Sequence, residues 1–111
     1  MRIVKFRGKR LDNFEWIYGD LHHGFLTGNS YINGKELYSE TVGQFTGLYD
    51  KNGTEIYEGD LVVYYASGFA RIEFVAGGFH IIQEEYGFDF MGQMLATIEV
   101  IGNIHDKKEL L

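Results

Sequence analysis

Histidine and carboxylate side chains are the groups of this 111-residue chain that could bind a metal ion or transfer protons. Asp20, His22 and His23 lie close together and are the best metal-ligand candidates, with His105 and Asp106 available from the far end of the chain. Adjacent side chains on an extended segment point to opposite faces, so the two neighbouring histidines do not easily bind one ion. We therefore predict solvated histidines and no metal site.

Another acidic group and another histidine could support acid–base catalysis. Glu84 and Glu85 are adjacent, and Asp89 follows them. The two carboxylates of a glycosidase must face each other, whereas adjacent carboxylates on an extended segment diverge. His80 stands alone within a predicted strand, where a histidine is more often a surface or filling residue than a general base.

Other reactive motifs are missing from the sequence. There is no cysteine, which excludes disulfides and thiolate zinc sites. We find no phosphate-binding loop, dinucleotide fingerprint, nucleophile elbow or zinc-protease helix. The sequence therefore predicts a protein that is not an enzyme and has no cofactor.

An N-terminal hairpin is the first element that would position these residues. Residues 2–7 read as a strand, residues 8–13 as a turn, and residues 14–18 as the returning strand. Trp16, the only tryptophan, is predicted to anchor the core because it lies inside the alternating run. The predicted half-buried face of the returning strand carries Phe14, Trp16 and Tyr18.

Turn residues punctuate the rest of the chain, which has fifteen glycines and no proline. Residues 32–35 contain Asn-Gly and predict a type I′ hairpin turn. A strand is predicted from residue 41 and is broken at Gly47, and residues 50–53 form the next turn. Residues 59–83 predict a three-stranded antiparallel meander, since its connections are too short for crossovers.

The C-terminal region is predicted less completely. Residues 84–94 are ambiguous, and their glycines argue against a stable helix. A last strand is predicted over residues 95–101, ended by Gly102 and Asn103. Residues 106–111 are predicted to form one helical turn.

Charge is distributed unevenly along the chain, whose net charge is −6. The first ten residues hold five of the ten basic residues and no acid, so the remainder carries five basic and sixteen acidic residues. The acidic remainder of the chain repels phosphate, and this argues against general nucleic-acid binding. We see neither a signal peptide nor a transmembrane span and expect a cytoplasmic protein.

The block TVGQFTGLYDKNGTEIYEGDLV over residues 41–62, together with EVIGNIHDKKELL over residues 99–111, resembles the YopX family of phage and prophage proteins. The segments IVKFRG and IYGDL resemble the opening of that family. The resemblance implies a single domain over residues 1–111, in which residues 1–58 form an N-terminal β lobe and connector. It implies that residues 59–111 form an SH3-like antiparallel β-barrel with little helix. The family has no established activity. The resemblance implies that the protein is found in a bacterial host cell.

Two interpretations of the central block, residues 41–62, remain open. In the first it is a folded connector that joins the N-terminal hairpin to the barrel. In the second, Gln44, Thr46 and Asp50 line a binding groove. The residues that carry the family motif are Gly43, Gln44, Thr46, Gly47, Asp50, Asn52, Gly53, Tyr57, Glu58, Gly59 and Asp60.

Aromatic residues make up 16% of the chain, which is plentiful for one small core. Exposed aromatic patches usually mark protein interfaces, and β-rich chains with open edges favour self-association. We therefore expect a non-catalytic protein that acts through contacts with an unidentified protein partner, as a homo-oligomer. The alternative is a nucleic-acid-associated SH3-like binding module, since such barrels often bind strands through exposed aromatic residues. Its binding would depend on the basic residues of the N-terminal strand.

Overall fold

A computed structural model describes residues 4–64, 68–75, 77–82, 87–89 and 97–106, without the side chains of residues 64 and 87–89. The chain divides into two compact units, Met1–Phe45 and Thr46–Leu111. Within the described ranges the secondary structure consists of β-strands and a single 3-10 turn. The prediction of a mainly β protein is therefore confirmed. No helix in these ranges is long and apolar enough to cross a membrane.

The first unit contains two antiparallel arrangements of short strands. Their elements are β1 (Phe6–Lys9), β2 (Trp16–Gly19), β3 (Leu21–His23), β4 (Ser30–Ile32), β5 (Lys35–Glu36) and the 3-10 turn (Ser39–Thr41). Strand β1 pairs with β2 and with the start of β6 (Gly43–Tyr49), while β4 pairs with β3 and β5. Asn33 and Gly34 have φ values of 51° and 75°, and Ile32 pairs with Lys35. The predicted type I′ turn is confirmed.

The predicted N-terminal hairpin exists, but its strands lie further along the chain than expected. Gly8 belongs to β1 and not to the turn, which instead spans residues 10–15. A Cβ atom on Gly8 would lie 2.8 Å from Leu37 Cδ1 and 3.4 Å from Val42 Cγ2. The glycine is therefore needed because other side chains pack against the backbone, and not because the chain reverses there.

The second unit is built on a five-stranded antiparallel sheet. After β6, the second unit contains β7 (Glu55–Tyr57), β8 (Asp60–Tyr64), β9 (Gly68–Val75), β10 (Gly78–Ile82), β11 (Gly87–Asp89) and β12 (Glu99–Asn103). All of these except β7 belong to the five-stranded sheet. The order in the sheet is β11-β10-β9-β8-β12, which confirms the meander of β8, β9 and β10. Among the described residues this sheet is not closed, so the expected barrel is not confirmed.

The core of the second unit lies on one face of this sheet. It consists of six buried side chains, with Val100 packed against them: Ile56, Val62, Ala70, Ile72, Ile81 and Ile98. Alternate residues of β9 are buried between exposed ones, as expected for a strand with one covered face. Ile56 comes from β7, so the central block contributes to this core.

Two strands differ in their bounds from the prediction. Strand β6 begins at Gly43 and continues through Gly47, whose φ of 86° bends the strand without ending it. Strand β12 includes Gly102 and Asn103, with a register shift after Val100. The ambiguous region contains β11, and its other residues lie outside the described ranges, as does the predicted helical turn beyond residue 106.

Candidate functional site

The first motif residues of the central block act in the sheet of the first unit. Gly43 pairs with Arg7, and Gln44 pairs with Phe6, at the start of β6. Gly43 is buried and Gln44 is half-buried. Both residues occupy backbone positions that join β6 to β1.

Asp50 is a buried acidic residue of the motif and is only 6% exposed. Its Oδ1 accepts the backbone N–H groups of Asn52 at 2.8 Å and Thr54 at 2.9 Å. Its Oδ2 accepts the N–H of Val100 at 2.9 Å. Because Val100 lies in β12, one carboxylate holds both the β6–β7 turn and the edge strand of the five-stranded sheet.

The ionisation of Asp50 fits this structural role. Burial by itself would raise its pKa, but hydrogen bonds from Val100, Thr54 and Asn52 and the charge of Lys51 together lower the pKa below the ordinary value of 3.8. A carboxylate that stays ionised at neutral pH and accepts three N–H groups is poorly suited to carry protons in a reaction.

The second turn of the central block is tied to the five-stranded sheet in a similar way. Asp60 is 1% exposed, and its Oδ2 accepts the backbone N–H of Tyr57 at 2.7 Å. Between them, Gly59 donates its N–H to the carbonyl of Ile72 at 2.7 Å and accepts the N–H of Ile104 at 2.9 Å. The turn therefore connects to β9 and to the segment after β12.

Thr46 belongs to the same backbone network. Its hydroxyl donates to the carbonyl of Ile56 at 2.8 Å and accepts the N–H of Leu48 at 3.2 Å. Both its hydroxyl and the Asp50 carboxylate are thus engaged with backbone groups, which favours the connector interpretation over a binding groove. Within the central block, the other motif residues occupy a strand bend and two turns: Gly47, Gly53 and Glu58.

The metal-ligand candidates occupy exposed positions. Asp20, His22 and His23 are exposed, and the two histidines lie next to each other on β3 opposite Tyr31 and Ser30. In the part of the chain that the structure describes, no group of three or more potential ligands could hold a metal ion.

The remaining candidates for acid–base chemistry do not form a described cluster. Half-buried His80 has its Nδ1 3.1 Å from the carbonyl oxygen of Gly78. Glu84 and Glu85, and the side chain of Asp89, lie outside the described residues.

One face of β1 carries basic side chains over aromatic rings, and sequence reasoning missed this arrangement. The Lys5 Nζ lies 5.3 Å from the Phe45 ring centre. The Arg7 guanidinium carbon and the Lys9 Nζ lie 4.6 Å and 5.6 Å from the Trp16 ring centre. These five residues form what we term the cation–aromatic face. The two-residue spacing of its basic residues was the signal that could have revealed it.

This face corrects two predictions about β2. Trp16 is half-buried, and its ring lies against the cationic groups of Arg7 and Lys9. It is not one of the buried core residues. Phe14 lies outside β2, is 62% exposed and stacks on Tyr38 with ring centres 5.2 Å apart. Tyr18 is 47% exposed. The predicted half-buried aromatic face is therefore wrong, because Phe14 precedes the strand and Tyr18 is exposed within it.

Several large apolar side chains are exposed, and two of the places where they lie are the hairpin-end patch and the loop tip. The hairpin-end patch comprises the exposed Phe74 and the half-buried Phe79, which pair across β9 and β10 beside the turn between these strands. The rings of Phe74 and Phe79 meet edge to face with centres 5.0 Å apart, yet Phe74 is 47% exposed. The second place is the loop tip, formed by Phe25 and Leu26, which are 99% and 90% exposed.

Comparison with known proteins agrees with the residues of the central block. The family model described as YopX protein matches residues 4–111. The chain belongs to the YopX family. Its fold is similar to the crystal structure of protein EF1440 from Enterococcus faecalis, with a TM-score of 0.68 and 28% sequence identity over 100% of this chain and 99% of that chain. No curated protein matches the sequence.

Proposed function

We propose that this YopX-family chain is a non-catalytic, phage- or prophage-encoded protein that acts through protein–protein contacts as a homo-oligomer. It would work in the cytoplasm of a bacterial host. The hairpin-end patch is the observation that carries the proposal. Its Phe74 ring is 47% exposed and packs on the half-buried Phe79 ring, and exposed aromatic surface on a small domain is typical of protein interfaces.

The chemistry of the motif supports the non-catalytic part of the proposal. Asp50 and Asp60 are the buried acids of the central block, and each accepts backbone N–H groups. Groups held in this way stabilise turns. A catalytic carboxylate would instead face a pocket with an unshared lone pair or proton.

Sedimentation velocity on the purified chain tests the assembly. We expect the weight-average sedimentation coefficient to rise with protein concentration between about 1 and 100 μM, the range in which modest interfaces associate. Phe74→Ser should shift the chain towards the monomer. Phe69→Ser is the matched control, because Phe69 is 68% exposed on β9 but lies outside the hairpin-end patch. A chain that stays monomeric throughout this range contradicts the proposal.

The cation–aromatic face favours a second candidate, a nucleic-acid-associated module with an SH3-like barrel in its C-terminal half. Basic groups beside aromatic rings are the combination that binds single strands. The acidic remainder of the chain argues against it, since phosphate contacts depend on net positive potential.

A fluorescent single-stranded oligonucleotide separates the two candidates. The nucleic-acid module predicts binding that weakens steeply with salt and is lost in Lys5→Glu with Lys9→Glu. Protein–protein action predicts no saturable binding at 50 mM salt, while self-association persists. Lys35→Glu, an exposed basic residue outside the cation–aromatic face, serves as the control.

A further inference from the structure

Two Asn-Gly pairs lie at exposed turns, Asn33-Gly34 between β4 and β5 and Asn52-Gly53 between β6 and β7. Asparagine is chemically labile, and most so before glycine, because glycine has no side chain to shield its backbone nitrogen from the neighbouring amide. That nitrogen can attack the amide carbon in water without an enzyme. The two pairs carry the same reactive groups, so the hydrogen bonds of each turn decide which one reacts.

The Asn52-Gly53 turn is closed at the atom that would react. The Gly53 N–H donates to the Asp50 carbonyl at 3.0 Å. The Asp50 carboxylate accepts the N–H groups on either side, from Asn52 at 2.8 Å and from Thr54 at 2.9 Å. Attack by the Gly53 nitrogen must break this network, so the folded chain protects Asn52.

The Asn33-Gly34 turn is open at the corresponding atom. Among the described residues, none accepts a hydrogen bond from the Gly34 N–H, and none bonds to the side-chain amide of Asn33. The strand after the turn, β5, has only two residues, and such a short strand opens locally at low cost. Beyond it, the Leu37 N–H donates to the Ser30 carbonyl at 2.9 Å, so the turn can open while the rest of the hairpin stays paired.

We propose that Asn33 is a site of spontaneous deamidation and that Asn52 is protected by its turn. After solvent base removes the Gly34 N–H proton, the nitrogen bonds to Asn33 Cγ, the Cγ–Nδ2 bond breaks, and ammonia leaves. Water then opens the resulting succinimide ring. Cleavage of the N–Cγ bond gives aspartate, and cleavage of the bond from this nitrogen to the backbone carbonyl carbon gives isoaspartate. Water is consumed, ammonia is released, and nothing is oxidised.

The isoaspartate product would alter the hairpin more than the new charge does. It adds a methylene group to the main chain, which a two-residue type I′ turn cannot accommodate while keeping Ile32 opposite Lys35. Ile32 is 0% exposed, so a change of register would displace a core side chain. Deamidation therefore predicts a slow, irreversible loss of stability in the first unit.

Peptide mapping by mass spectrometry, on protein aged in mildly alkaline buffer, measures both sites in one sample. Asn33 should convert at least about fivefold faster than Asn52, the factor that one net hydrogen bond contributes to an opening equilibrium. In concentrated urea the two rates should converge, since each asparagine then precedes glycine in an open chain. Equal rates in the folded chain, faster conversion of Asn52 or no conversion of Asn33 would overturn the proposal. A difference that persists in urea would also overturn it, because the neighbours in sequence and not the fold would then set the rates.

Asn33→Gly tests the effect on stability. Glycine retains the positive φ of the turn and lacks the amide, so this variant should fold and should keep its thermal midpoint on ageing. Wild type aged in parallel should develop a lower-melting fraction that matches its isoaspartate content. Asn52→Gly is the matched control and should age as wild type does. Aged wild type that contains isoaspartate yet melts like fresh protein would overturn the loss of stability and leave the modification site standing.

Discussion

At the scale of single residues, Asp50 illustrates how a motif position can be essential without being reactive. Its carboxylate accepts backbone N–H groups of a turn and of a strand edge. Without it, these N–H groups would lose that acceptor. An edge strand with unpaired N–H groups invites association, and one of those groups in β12 is satisfied internally by Asp50. The residue therefore both shapes the turn and protects the edge.

Replacing Asp50 tests this role. Asp50→Ala should lower the free energy of unfolding by about 3 kcal/mol, because buried N–H groups lose their acceptor. Asp50→Asn should cost less, since the amide retains one acceptor oxygen. Asp12→Ala is the control: Asp12 is exposed and pairs with Arg10, so its loss should be small. Urea denaturation measures all three, and equal losses for Asp50 and Asp12 would contradict the structural role.

The lowered pKa of Asp50 also predicts an acid dependence. A carboxylate whose pKa is lower in the folded than in the unfolded chain contributes stability that is fully present above the unfolded value. That contribution should disappear as the pH falls below about 3.8, through the lower pKa of the folded chain. Asp50→Asn removes it, so the stability gap between wild type and this variant should narrow below pH 4. Denaturation at pH 7 and pH 2.5 measures the gap, and a constant gap would contradict the assignment.

At the scale of elements, glycine has two separate functions in the paired strands. Gly8 provides room for Leu37 and Val42 against β1, whereas Gly47 provides a left-handed backbone conformation inside β6 with open space around it. Sequence patterns treat both as strand breakers. Neither interrupts its strand, because the surrounding pairing fixes the backbone around each one.

Alanine substitutions distinguish these functions. Gly8→Ala should destabilise the fold by roughly 1–3 kcal/mol through overpacking. Gly47→Ala should cost roughly 1–2 kcal/mol through its positive φ, without a steric clash. Gly78→Ala is the control within a strand, since among the described residues its Cβ would meet His80 Cε1 alone, at an ordinary contact distance of 3.8 Å. Thermal unfolding ranks the three, and a Gly78 variant as unstable as the Gly8 variant would contradict this explanation.

At the scale of the whole molecule, the two units differ in charge and share one strand. Met1–Phe45 carries six basic and five acidic residues, whereas Thr46–Leu111 carries four basic and eleven acidic residues. Strand β6 begins in the first unit, where it pairs with β1, and continues into the second, where it lies beside β7. Loss of β6 would therefore remove hydrogen bonds from both units.

This sharing predicts cooperative unfolding. Trp16 is the only tryptophan and lies in the first unit, so its fluorescence follows that unit alone. We expect fluorescence and far-UV circular dichroism to give coincident urea transitions. Asp50→Ala lies in the second unit and should shift both equally. A Trp16 transition that stays in place would show that the units unfold independently.

Some features of the site were predictable and others were not. Turns marked by Asn-Gly at residues 33–34 and 52–53 were predicted correctly, because the positive φ of Asn33, Gly34 and Gly53 is a local property of those residue types. The partners of Asp50 could not be predicted, since Val100 is fifty positions away. Likewise, nothing local in the sequence distinguishes Phe25, which is 99% exposed, from Phe45, which is 3% exposed.

The sequence alone determined the family, the β class, the principal turns and the position of the meander. These follow from residue type and short-range periodicity, which act over a few neighbouring residues. Tertiary structure alone decided which acids are buried and where β1 and β2 begin. It also decided that the Trp16 ring lies against two basic side chains and which aromatic rings are exposed to solvent. Those outcomes depend on contacts between distant segments, and the free energy of such contacts is set only when the strands pair.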